Sequence, residues 1–102
     1  MSIQHNGLAD LVHKVGGWHA ARNLIDGSTD QAQYVKLIEE AGELAGNIAR
    51  CKDVRDDIGD MLVVLINIAA RNNTNLAECL AVAWEDIKDR KGTMVAGVFI
   101  KE

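Results

Sequence analysis

KLIEEAGEL, residues 36–44, and DDIGDMLVVL, residues 56–65, decide how this chain reads. Each sets acidic residues beside apolar ones at helical spacing. The first carries Glu39, Glu40 and Glu43, the second Asp56, Asp57 and Asp60. If the two helices pack antiparallel, six carboxylates share one low-dielectric space and repel each other unless something cationic lies between them. Hard, oxygen-preferring dications, above all Mg²⁺, meet that need.

Working outward, Val35, Ile38, Ala41, Ala45 and Ile48 recur at three- and four-residue spacing and predict a helix ending near Arg50, with those residues in the core. Ser28-Thr29-Asp30-Gln31 has the form of a capping box with Ser28 as N-cap. Upstream, a first helix over residues 7–15 is expected to break or kink at Gly16-Gly17, to resume at Trp18 and to end near Ile25. Downstream, Asp53 is placed to cap a third helix running to about Asn72. Asn75, with Glu78 three residues on, caps a fourth that ends near Lys91-Gly92. Leu76, Leu80, Ala83 and Ile87 form that helix's apolar face, and the segment from Val95 to Ile100 reads as a short strand-like arm packing on a neighbour.

These elements make one all-α domain over residues 1–102, four-helix bundle-like with an extended C-terminal arm. Apolar residues are 48% and charged residues 25%, a globular balance, and there is no proline to interrupt helices. Long apolar stripes on so short a chain favour self-association. The net charge of −4 argues against nucleic acid as a partner. Met61 to Ala70 is too short to span a bilayer and contains Asn67, and MSIQHNGLAD lacks a signal-peptide pattern. Cys51 and Cys79 read as reduced thiols, one of them packed in a helix. A soluble, cytoplasmic protein is expected.

On the second helix, Gln33, Lys36, Glu40, Glu43 and Asn47 form one narrow stripe, with Glu39 at its edge. On the third, Asp56, Asp60 and Asn67 align, with Asp57 beside them. That helix is apolar almost all round, so Asp60 and Asn67 aim into an interior. Trp84, Lys88 and Lys91 share one side of the fourth. Either acidic cluster alone has a structural explanation in the helix dipole or a solvated face. Together, Glu-x-x-Glu and Asp-x-x-Asp on neighbouring helices put four carboxylates within reach of the same ions. A di-iron site needs Glu-x-x-His pairs, yet His5, His13 and His19 all precede the clusters. A zinc site lacks its Cys and His cluster.

Glu39-Glu40-Ala41-Gly42-Glu43 followed by Asp57-Ile58-Gly59-Asp60 resembles the double motif of the all-α nucleotide pyrophosphohydrolases, the MazG-like proteins related to dimeric dUTPases. The likeness runs from about Trp18 to the C-terminus and is to the small phage and bacterial subgroup. One departure is that Asp57 stands where the family usually has Glu, which leaves Asp56 as an alternative ligand. The resemblance implies Mg²⁺-dependent hydrolysis (Mn²⁺ as substitute) of a (deoxy)nucleoside triphosphate to the monophosphate and pyrophosphate, in a homodimer or homotetramer. It implies Glu40, Glu43, Asp57 and Asp60 as metal ligands and Glu39 as a further ligand or general base. Glu39 and Glu40 would be the catalytic pair. Lys36, Lys88, Arg90 and Lys91 would meet phosphate charge, Asn67 sugar or phosphate, and Trp18 the base. His19, Gln33, Tyr34 and Trp84 are further candidates for the base. Phage-type relatives suggest a guanine nucleotide such as dGTP. A different class of function, a non-catalytic helical dimer regulating a partner protein, would treat the clusters as solvated faces and the apolar tail as a docking arm.

Overall fold

The computed structural model describes residues 7–102, so His5 and most of the stretch read for a leader lie outside the described residues. Four α-helices and a small antiparallel hairpin make up the fold: α1 Leu8–Ala21, α2 Asp30–Ala49, α3 Arg55–Arg71, α4 Leu76–Ile87, β1 Gly92–Val95 and β2 Val98–Lys101. The mostly helical class matches the sequence reading.

α3 is the centre, touching α1, α2 and α4, with α2 as its most extensive neighbour. Buried Val64, Ile66 and Ala69 lie on it. Its near-continuous apolar run suits an element with neighbours on three sides. Arg71 at its end donates to Asp30 at the start of α2, 3.0 Å away, and to the Ile25 carbonyl, tying the α1–α2 connection to α3.

Helix ends depart from expectation where several residues compete for the cap. Thr29, not Ser28, caps α2, its hydroxyl accepting from the Ala32 N–H at 3.1 Å. Ser28 instead accepts from the Gln33 amide at 3.0 Å. Asp53 accepts from the Arg55 N–H at 3.0 Å, one residue outside the N-cap position held by Val54. Asn75 caps α4 as expected, accepting from the Glu78 N–H at 2.9 Å.

α1 runs unbroken through Gly16-Gly17 and stops at Ala21 rather than near Ile25. Two glycines in a helix cost about 1 kcal/mol each relative to Ala, and α1's packing on α3 offsets that penalty. The stop comes from Asn23, whose φ of 55° is left-handed; its N–H reaches the Ala20 carbonyl. α4 likewise ends at Ile87, short of Lys91.

Three further expectations are corrected. The C-terminal arm is a hairpin with Val95 opposite Val98, turned by Ala96 and Gly97 at φ 50° and 80°. Positive φ at both central residues is the hairpin-favouring turn geometry. The predicted core faces are also largely uncovered: Val35, Ile38 and Ile48 of α2, and Leu80 and Ile87 of α4, are exposed. Both cysteines are exposed, Cys79 included, although it sits on a helix. Among the described residues no helix is long and apolar enough to cross a membrane.

Candidate metal centre

α2 and α3 bring Glu40, Glu43 and Asp60 together. One carboxylate oxygen from each lies within 4.8 Å of the others. Glu40 and Glu43 stand one turn apart on α2, and Asp60 meets them from the N-terminal half of α3. Burial grades across the trio: Glu40 is buried, Asp60 half-buried, Glu43 exposed at the mouth.

The electrostatics are those of an unneutralised site. Burial, then the charges of Asp56, Glu40 and Asp57, push the Asp60 carboxyl above the usual carboxylate range. Glu40 Oε2 is buried without a hydrogen-bond partner, a condition that costs about 1–3 kcal/mol, more for a charged group. Its other oxygen lies 3.5 Å from the Lys36 ammonium, which also bonds Glu39 at 3.4 Å. Those two glutamates, Glu39 first, raise the pKa of Lys36. One exposed lysine is thus the nearby positive charge these contacts record, and it stands at the edge of the trio.

Oxygen-only donors on this span fit a hard dication. With Mg–O distances of about 2.1 Å, opposite ligands stand about 4 Å apart, so modest closure around an ion satisfies the geometry. The buried, partnerless Glu40 oxygen is the independent sign that the residues present suit such an ion.

The remaining predicted residues divide. Asp57 is buried but turned to Asn47, whose amide nitrogen donates to both carboxylate oxygens at 3.1 and 2.9 Å. It therefore stands outside the trio while contributing its charge to Asp60. Asp56 is exposed, close enough to Asp60 to shift it. Glu39 is exposed on Lys36. Asn67 is completely buried, its amide donating to the Leu24 carbonyl at 2.8 Å and facing His19 Nδ1 at 3.3 Å, so that amide serves the interior rather than a sugar or phosphate. Trp18 keeps an exposed ring, with the Arg22 guanidinium 4.3 Å above it and the His19 ring edge-on. Lys88 pairs with Glu85 at 2.7 Å and Arg90 with Asp86 at 2.8 Å, while the Lys91 carbonyl accepts from the Glu102 N–H. Among the described residues no hydrogen bond or ion pair joins these three, Trp18 or Gln33 to the trio.

Two residues acquire a place that sequence reasoning did not give them. Asn47 fixes Asp57, and its position four residues after Glu43 on the same stripe was the available signal. Arg50 lines an open depression of about 520 Å³ on α2 with Glu39, Gly42, Glu43, Gly46 and Asn47. Its guanidinium lies over Gly46, where an added Cβ would come within 2.8 Å of Nη1. No helical pattern marked it.

Comparison with known proteins adds one relative. The chain is 40% identical over 68 residues to an uncharacterised 18.2 kDa protein from the rep-hol intergenic region of Haemophilus phage HP1 (strain HP1c1). The match takes in 65% of this chain and 42% of that protein, so the chain spans less than half of its phage relative. No family model and no solved structure matches the chain.

Proposed function

We propose that this chain is a MazG-like nucleoside triphosphate pyrophosphohydrolase that controls a nucleotide pool in a bacterial or phage-infected cytoplasm, working as a homodimer or homotetramer. The observation carrying this reading is the buried Glu40 Oε2, which has no hydrogen-bond partner, beside Glu43 and Asp60. Glu40, Glu43 and Asp60 would hold Mg²⁺, with Asp57 or Asp56 joining from the next shell. The ion would supply charge neutralisation for the polyphosphate and a lowered pKa for a bound water. Glu39, exposed one residue before Glu40 with its carboxylate held by Lys36, would accept a proton from an attacking water. Arg50 lines the depression and Lys36 pairs with Glu39 and Glu40 beside it, and both would offer charge to phosphate oxygens. Overall, water adds to phosphorus and a pyrophosphate group leaves, giving the monophosphate.

Incubation of the purified chain with Mg²⁺ or Mn²⁺ and a panel of triphosphates, dGTP and dUTP included, tests this. Equimolar monophosphate and pyrophosphate are expected from at least one. No product from any, modified bases included, rules the activity out.

The uncovered apolar faces favour a second reading, a non-catalytic interaction module. The two separate on metal binding. A specific ion at 100 times its Kd adds about 2.7 kcal/mol of stability, whereas the interaction reading leaves the melting temperature indifferent to Mg²⁺.

A further inference from the structure

Among the described residues, the C-terminal hairpin packs against no helix of its own chain. A two-stranded hairpin alone is marginal in water, and this one carries exposed apolar side chains on both sides. Thr93, Val95, Val98 and Ile100 make one face, wholly uncharged and β-branched, while Met94 and Phe99 share the other with Gly92 and Lys101. The valines and Ile100 are more than half exposed. On α4, Leu80, Trp84 and Ile87 recur at i, i+4 and i+7 and form an exposed apolar stripe. The two surfaces match in size, about 13 Å for a four-residue strand and about 10 Å for the stripe.

The amount of uncovered surface points to the occupant. The chain exposes 7965 Å², against about 5,700 Å² for a compact monomer of 11.1 kDa. Its radius of gyration is 16.1 Å, where about 13 Å suits a compact chain of this length. The excess, roughly 2,000 Å² per chain, is what an obligate homodimer buries rather than the ~800 Å² per partner of a standard interface. A second copy supplies both missing surfaces at once, and a reciprocal two-fold exchange closes without leaving a free end.

We propose that the hairpin of one copy docks its Val95, Val98 and Ile100 face on the Leu80, Trp84 and Ile87 stripe of a second copy, and the reverse. This rests on the homo-oligomeric part of the reading above and is independent of its chemistry.

The test mixes two full-length chains, Leu80→Cys and Val98→Cys, each with Cys51→Ser and Cys79→Ser, under mild oxidation. A disulfide-linked heterodimer of twice the chain mass is expected, alongside sedimentation of the native protein as a dimer or larger. Val98→Lys with Ile100→Lys is expected to weaken association by about 100-fold or more, from the loss of two buried aliphatic side chains on each of the two arms. Because the hairpin contacts no helix of its own chain, helical circular dichroism stays unchanged in that variant. A native chain that remains monomeric at high micromolar concentration overturns the proposal and leaves the patch to a partner of other chemistry. An oligomer that persists in the double-lysine variant and forms no heterologous cross-link overturns the arm exchange alone. Turnover of triphosphates is read separately and decides neither outcome.

Discussion

Asp60, half-buried, and Asn67, fully buried, sit on one side of α3, two turns apart. Their neighbourhoods are opposite in kind. Around Asn67 the groups complement each other. His19 Nε2–H donates to the Val63 carbonyl at 2.8 Å, which leaves Nδ1 to accept from the Asn67 amide, and that amide also donates to Leu24. Only the amide oxygen lacks a partner. Around Asp60 the groups are Glu40, Glu43, Asp56 and Asp57, all of its own sign. A buried polar group with fitted partners fixes how α1 lies on α3. One whose neighbours repel it holds its charge at a cost, which the dication proposed above would relieve.

The largest test of that contrast is in sign. Asp60→Asn or Glu43→Gln is expected to reduce triphosphate turnover by about 100-fold or more, the scale of about 3 kcal/mol in the barrier. Without metal, the same substitutions are expected to raise the melting temperature, because each removes one repelling charge. If they instead lower it in metal-free buffer, the trio is a structural cluster and the contrast fails.

Asn67→Ala should go the other way. It leaves the Leu24 carbonyl and His19 Nδ1 without their donor and opens a cavity, a loss of about 2–4 kcal/mol. Thermal unfolding would register a drop of roughly 10 °C or more for a domain this size. His19→Ala combined with it should cost less than the two single changes added, since both remove one network. Additivity would separate His19 from Asn67 and reduce the interior site to ordinary packing.

A smaller effect concerns the groups around the trio. Asn47→Ala frees Asp57 from both bonds, letting a second buried carboxylate move against Asp60. An Mg²⁺ affinity about 10-fold weaker is expected, measured by titration calorimetry, with the helical content unchanged. Stronger binding would assign Asp57 to the ion directly, as the family resemblance implies.

Period and caps made α2, α3 and α4 legible, since a 3.6-residue repeat and an Asn-x-x-Glu start are local properties. Thr29 over Ser28 was not legible, because two adjacent hydroxyls fit the same pattern and the backbone chooses. The Ala96-Gly97 turn lacked the usual Asn-Gly signal, so the hairpin read as one arm. At the site, the sequence placed all six carboxylates on the right helices. Which of Asp57 and Asp60 turns into the trio depends on the rotation of α3 about its axis, and a difference of three residues is about 60° of arc. The Asn47–Asp57 bond depends on the same rotation. Periodicity found the apolar faces of α2 and α4, but it carries no information on what covers them.

The smallest expected effect is on pH, and its sign follows from Asp60. Its folded-state pKa is raised, by burial first and then by Asp56, Glu40 and Asp57. Between the unfolded and folded values the native state binds more protons than the unfolded chain. Metal-free stability therefore declines as pH rises through that window, from the ordinary aspartate value upward. Denaturant midpoints collected at several pH values in chelator should fall along that rise, and Asp60→Asn should flatten the fall. Saturating Mg²⁺ should reverse the slope, because an ion held by ionised carboxylates favours their deprotonated form and gains affinity as protons leave. Asn67 has no such proton to lose, so the metal-dependent reversal belongs to one end of α3 alone. A slope that Mg²⁺ leaves untouched would mean that the two sites differ only in their partners and that the trio holds no ion.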